Sequence, residues 1–287
     1  MKPAEGAGRL SVVATPIGNL DDITLRAIEV LRQADVILAE DTRRTKRLTG
    51  HLGIATRLKS FHAHSPPGAV EGWVAELLGG AHLAIVTDAG TPVVSDPGIR
   101  LVAACREAGV PVEAIPGPSA VTAAIAVAGI RADVFRFVGF LPRSGGRRRR
   151  VLEEIGTERG ATVLFEAPGR VGKTLSDLAA VVGADRQGAI CRELTKLHEE
   201  VTRGPLSELI ERAGEGIRGE VTLVVEGTGL AAGAVSEVTP EDARDRAEEL
   251  LANGLSPRDA ARRLAEETAM PKKEAYSLIL SLAEGST

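Results

Sequence analysis

Leu83–Gly98 reads LAIVTDAGTPVVSDPG. The first five residues form an apolar run closed by Thr87, the pattern of a strand buried on both faces. The next eleven hold two glycines, two prolines and two aspartates. Such a stretch continues neither strand nor helix and forms a loop at the strand's carboxyl end. A helix pattern follows near Ile99–Ala108. The same strand–loop–helix unit recurs on both sides. Leu10–Ala14 precedes TPIGNL (15–20) and the helix Thr24–Leu31. Val36–Ala39 precedes a basic helix from Asp41 to Leu52, and Leu58–Phe61 precedes the helix Val70–Leu78. Val112–Ile115 precedes PGPSA (116–120) and the apolar helix Ala120–Ala128. This alternation predicts an α/β domain over residues 9–131 built on a mainly parallel sheet.

A second cycle begins after Gly129–Asp133. Strands are expected at Val134–Leu141, Ala161–Phe165, Gly188–Glu193, Glu200–Arg203 and Val221–Val225, with helices at Arg148–Ile155, Val171–Val182 and Leu206–Ala213. The tight Arg218–Gly219 turn before the last strand suggests some antiparallel pairing in this second α/β domain, 132–228. Small residues at 229–239 read as a linker. Beyond it, 240–284 reads as a small helical module: Pro240–Ala252, Pro257–Glu267 and Lys272–Leu282. Ser256 and Pro257 fit N-cap and first-turn positions. Three short helices resemble a helix-turn-helix. Residues 238–287, however, carry seven Lys or Arg against ten Asp or Glu, which favours packing or protein contact over nucleic acid.

The 287 residues are 44% hydrophobic and 26% charged, ordinary for a chain with a real core. No apolar run approaches the ~20 residues of a membrane span, and the opening MKPAEGAGRL lacks a secretory signal. Cys105 and Cys191 are too few for a disulfide framework. A reducing cytoplasm is the expected location. The net charge of −4 means that any contact with nucleic acid rests on local patches. The five histidines show no metal-ligand spacing, and no metal site is expected.

Four loops follow strands and carry the candidate chemistry: TPIGNL, DAGTPVVSDPG, PGPSA and ELTK (193–196). Ligands of open α/β sheets bind at the carboxyl ends of strands. Asp88 and Asp96 would repel phosphates, accept hydrogen bonds from hydroxyls or amines, and favour a sulfonium cation. The sequence has no phosphate-loop or dinucleotide fingerprint, so a nucleoside ligand fits better than a triphosphate. Arg43, Arg44, Lys46 and Arg47 form one basic cluster, and Arg143 with Arg147, Arg148, Arg149 and Arg150 a second. Both follow strand ends on the side of these loops and are candidate phosphate contacts. Aromatics are only 2% of the chain, so stacking on a base would fall to Arg or to Phe140.

The ordered set TPIGNL, AEDTRRT, DAGTPVVSDPG, PGPSA, VGFLPR, VLFEAP, CRELTK and GEVTLVVEG resembles the 16S ribosomal RNA cytidine 2′-O-methyltransferases of the tetrapyrrole-methylase superfamily, in register over roughly residues 9–227. The resemblance implies two successive α/β domains with a cofactor cleft between them. It implies S-adenosylmethionine as cofactor, small-subunit ribosomal RNA or the 30S subunit as substrate, and a homodimer. Carried over by position, the cofactor residues are Pro16, Gly90, Thr91, Val94, Ser119 and Ala120, and Asp88 joins them on its charge. Glu166, Leu194 and Thr222 would hold the adenine end. Asp41, Glu193 and Lys196 are candidates for the base or cation that activates the ribose hydroxyl. Two alternatives stay open: a methyltransferase of a tetrapyrrole precursor, and a non-catalytic RNA-binding assembly factor.

Overall fold

The computed structural model describes residues 8–62, 65–66, 68–93, 98–229, 240–268 and 270–284. Val94, Asp96 and nearly all of the expected linker lie outside them.

The first sheet contains β1 (Arg9–Val13), β2 (Val36–Ala39), β3 (Arg57–Ser60), β4 (His82–Val86) and β5 (Val112–Ile115). All pairings are parallel, in the order β3-β2-β4-β1-β5. Every residue of β2 and β4 is buried, as the apolar runs Val36–Ala39 and Leu83–Val86 require when helices cover both faces. On one face Val13, Ile37 and Ala84 pack with Ala27 and Leu31 of α1 (Leu25–Gln33). On the other, Leu10, Leu38 and Leu83 meet Leu77 of α3 (Ala69–Leu78) and Leu101 of α4 (Ile99–Glu107). Thr24 caps α1 by accepting from the Ala27 N–H at 3.1 Å. Asp41 caps α2 (Thr42–His51) by accepting from Arg43 N–H at 2.8 Å.

The second sheet contains β6 (Phe135–Phe140), β7 (Ala161–Glu166), β8 (Gln187–Arg192), β9 (Glu200–Pro205) and β10 (Val221–Val225), ordered β6-β7-β10-β8-β9. Only β6 and β7 run parallel, so antiparallel pairing dominates rather than merely occurring. The helices α6 (Gly145–Gly156), α7 (Val171–Val182) and α8 (Leu206–Gly214) close its core through Leu152, Leu175 and Leu209. The helix α5 (Ala120–Ala128) packs on β10 and β8, although its sequence reads as the end of the first domain. Both sheets therefore lie in one compact unit that ends at Thr228.

The second unit holds α9 (Pro240–Ala252), α10 (Pro257–Thr268) and α11 (Lys272–Glu284) around Leu250, Leu264 and Ile279. Ser256 accepts from the Asp259 N–H at 3.2 Å and starts α10. Among the described residues no helix is long and apolar enough to cross a membrane.

Candidate active site between the two sheets

Because β4, β1 and β5 are neighbours, the loops that follow them emerge side by side. Thr15 and Gly90 exchange backbone hydrogen bonds of 2.9 and 3.0 Å, and the Thr15 hydroxyl donates to Thr87 O at 3.1 Å. Gly90 has φ +80°, which glycine adopts freely and a β-branched residue resists. Val93, in the same loop, has φ 76°, so strain is concentrated here. The Ser119 side chain makes no capping bond to α5, which leaves the first N–H groups of that helix for a ligand.

Three charged groups edge this wall. The Asp88 Oδ1 accepts from Asp41 N–H at 3.1 Å, its Oδ2 lies 3.5 Å from Arg44 Nε, and Thr87 donates to Glu40 at 2.8 Å. Burial, and next the charge of Glu40, push the Asp88 carboxyl above its ordinary pKa. Asp41 goes the other way. Its bonds from Arg43 hold it at about 2.

The opposite wall comes from the second sheet, and together they enclose a cavity of about 420 Å³, within the ~300–1,000 Å³ of small-molecule sites. Phe140, Phe165, Cys191, Leu194 and Thr222 line it. Burial pushes the Cys191 thiol up to about 12, so it is a neutral wall. Glu166 is buried, and both its oxygens are engaged. One accepts from Ala167 N–H at 2.8 Å, the other from the Thr174 hydroxyl at 2.6 Å, and Arg170 lies 3.3 Å away.

The ELTK loop forms the rim. Glu193 and Thr195 have φ 51° and 66°, unusual for non-glycine residues. Lys196 Nζ donates to Glu193 at 2.8 Å and to Glu220 at 3.0 Å, and Glu220 lines the cavity. Partial burial opposes the Lys196 charge, but these bonds outweigh it and raise its pKa. The bond from Lys196, then the Glu220 N–H, lower that of Glu193. TPIGNL touches this loop: Asn19 N–H donates to Thr195 Oγ1 at 3.1 Å. A Cβ on Gly18 would stand 2.5 Å from Lys196 Cγ, so the approach requires glycine.

Asp88, Gly90, Thr91, Ser119, Ala120, Glu166, Leu194 and Thr222 all line one cavity. Pro16 does not. In the extended segment pinned by the Thr15–Gly90 pair, side chains alternate, and Ile17 faces the cavity instead. Val94 lies outside the described residues. Asp41, Glu193 and Lys196 stand behind the lining, one hydrogen bond away through Asp88 or Glu220. Of the basic residues Arg44 lines the cavity, while Arg43 is engaged with Asp41 at 2.7 Å. Arg143, Arg147 and Arg149 are exposed.

Arg148 corrects the sequence reading. It is 5% exposed and donates to Asp177 at 2.7 and 2.9 Å, to Thr174 at 3.0 Å and to Pro142 O at 2.9 Å. The α6 helix turns one arginine of the run inward to meet α7, so Arg148 holds no phosphate. Sequence reasoning missed Ile17, Glu40, Phe165 and Glu220 as lining residues. Glu40 and Glu220 stand inside quoted motifs beside residues that were chosen, and the step from neighbour to lining residue needs the backbone.

These features define a class. Residues 9–210 match the family model of the Tetrapyrrole (Corrin/Porphyrin) Methylases. The uroporphyrin-III-C-methyltransferase of Thermus thermophilus shares the fold, with a TM-score of 0.56 at 22% identity over 81% of this chain and 99% of that one. The ribosomal RNA small subunit methyltransferase I of Synechocystis sp. is 43% identical over 280 residues, 96% of this chain and 98% of that protein. That of Thermotoga maritima is 46% identical over 221 residues, 77% of this chain and 99% of its own. The chain belongs to the tetrapyrrole methylases and, within them, to the ribosomal RNA small subunit methyltransferase I group.

Proposed function

We propose that the protein transfers a methyl group from S-adenosylmethionine to the 2′-hydroxyl of a cytidine ribose in small-subunit ribosomal RNA. One observation carries the reading: both basic segments start at the cavity that the nucleoside-type loops line. The α2 segment enters through Arg44, and the Arg143–Arg150 stretch begins just beyond Phe140. Arg143, Arg147, Arg149 and Arg150 are exposed and have no ion pair among the described residues, as cations available to phosphates should be.

The residues present fit the cofactor. The uncapped α5 N-terminus would receive its carboxylate, Gly90 and Thr91 its methionine chain, Asp88 and Glu40 its positive charge, and Leu194 and Thr222 its adenine. Bound there, it supplies an electrophilic methyl on a sulfonium. The Glu166 carboxylate, fully engaged, positions the wall rather than touching ligand.

Alignment of the hydroxyl supplies much of the rate. Of the candidate activating groups, Asp41 and Glu193 are held ionised and are poor proton acceptors. Lys196 stays an ammonium and acts on the site through Glu220, the lining residue that it holds. Asp88, raised by burial, is better able to take the proton than Asp41 or Glu193. A homodimer in the cytoplasm belongs to the same reading.

Incubation with methyl-labelled S-adenosylmethionine and 30S subunits tests it. Label in the RNA is expected, and no transfer to RNA together with no calorimetric binding of the cofactor would overturn the reading.

A further inference from the structure

Phe140 is 60% exposed yet lines the cavity. An exposed phenyl ring at a site mouth is costly to keep in water, and this chain has only five phenylalanines. Three of them meet at this point. The Phe165 ring lies 5.6 Å from that of Phe140 and 5.0 Å from that of Phe137.

A backbone irregularity puts it there. In register with β7, Phe137 pairs with Val163, Gly139 with Leu164 and Phe140 with Phe165, so Val138 is an extra residue. Side chains alternate along a strand, and without the bulge Phe140 would fall on the face opposite Phe137. The extra residue returns it to the face of Phe165 and the cavity. Gly139, at φ +71°, supplies the conformation that such a bulge requires. Bulges of this kind re-aim side chains beside functional sites.

We infer that Phe140 is the platform on which the target base stacks when its ribose enters the cavity. This rests on the RNA reading above. To present a 2′-hydroxyl to an enclosed site, a nucleotide must leave its neighbours, and a base taken from its stack recovers the loss on an aromatic face. Phe140, 60% exposed at the mouth, keeps ring surface open to a base while its tilted contact with Phe165 holds it in place. The exposed Arg143, three residues on, would bind the adjoining phosphate.

The test compares Phe140→Leu, which keeps apolar bulk without a π-face, with Phe140→Tyr, which keeps the face. The measurements are methyl transfer to 30S subunits and calorimetric binding of S-adenosylmethionine. Phe140→Leu should lose roughly 5- to 150-fold in kcat/KM for the RNA, the range of base stacking on aromatics. Phe140→Tyr should stay within about threefold of the parent, and cofactor affinity should be the same in all three. An active parent with an equally active Phe140→Leu overturns the platform and leaves the RNA reading standing. Cofactor affinity falling in parallel with turnover also overturns it, since the ring would then belong to the cofactor. A parent that binds cofactor but methylates no RNA removes the RNA reading itself.

Discussion

The two walls of the cavity are built on different physics. The first-sheet wall is backbone: Gly90 with its left-handed φ, the paired Thr15 and Gly90, and the uncapped start of α5. The second-sheet wall is side chains held by other side chains: Phe140 on Phe165, Glu166 under Thr174 and Arg170, Lys196 between two glutamates. A backbone site is written locally, in glycines and prolines at strand ends. A site made of long-range side-chain contacts is not. The expected damage from substitution differs in the same way, abrupt in the first wall and graded in the second.

The largest effect belongs to Gly90→Val. A β-branched residue at φ +80° is strained, and its side chain would stand where the ligand approaches the backbone. Cofactor binding weakened by more than about 100-fold is expected from calorimetry, roughly 3 kcal/mol, of the order that backbone strain alone can reach. Unchanged affinity in a folded variant would move the site off this loop.

Arg148→Met comes next and acts on stability. Removing one partner of a buried, hydrogen-bonded ion pair costs about 3–5 kcal/mol, and the lower figure applies because Asp177 is partly exposed. Burial works to raise the Asp177 carboxyl, but bonds from Arg148 and Lys173 hold it below its ordinary value. A depressed carboxylate stabilises the fold above its unfolded pKa, about 3.9, and that stability is lost as pH falls through the lower folded value. The acid limb of a melting-temperature profile should therefore flatten in Arg148→Met. An unchanged limb would detach Asp177 from Arg148.

Lys196→Ala should lower turnover about 10- to 100-fold while cofactor affinity changes less than threefold, the pattern of a group that acts on the transition state. Since its neighbours raise its pKa above the ordinary lysine value, the charge persists through neutral pH. No loss of rate from its deprotonation is expected below about pH 10. Full turnover in the variant would return Lys196 to a purely structural role in the strained ELTK loop.

The smallest effect is that of Arg147→Ser with Arg149→Ser. Both residues are exposed, so the melting temperature should hold. The slope of log affinity for RNA against log salt should fall by roughly 1.4–1.8, about 0.7–0.9 for each phosphate no longer neutralised. Equal slopes would remove α6 from the RNA surface.

The difference between the walls also sets what the sequence could tell. The parallel sheet was legible because β2 is apolar throughout, β4 is apolar from Leu83 to Val86, and each is followed by a breaker-rich or polar segment. The loops that carry Gly90, Thr91, Ser119 and Ala120 were legible because they fall at strand ends, and the family resemblance picked out those residues within them. The inward turn of Arg148 was not, because four consecutive arginines look alike until α7 supplies Asp177 and Thr174. Ile17 rather than Pro16 faces the cavity through an alternation set by a bridge to Gly90, 73 positions away from Ile17 along the chain. The packing of α5 on the second sheet was hidden for a related reason: a helix apolar at every position but Thr122 does not say which layer it covers. The antiparallel order of β7, β10, β8 and β9 depends on pairing partners that strand patterns alone leave open.

Delivery of a methyl to a ribose oxygen of RNA leaves a chemical mark that delivery to a base does not. A 2′-O-methyl blocks alkaline cleavage of the adjoining phosphodiester, because the hydroxyl that would attack it is gone. Small-subunit RNA labelled by the protein with methyl-labelled S-adenosylmethionine and then hydrolysed in alkali should carry its label in a single alkali-resistant dinucleotide whose 5′ nucleoside is cytidine. Label recovered in ordinary mononucleotides, as a base methylation would give, or found only on a porphyrinoid precursor offered beside the RNA, would contradict the proposed activity.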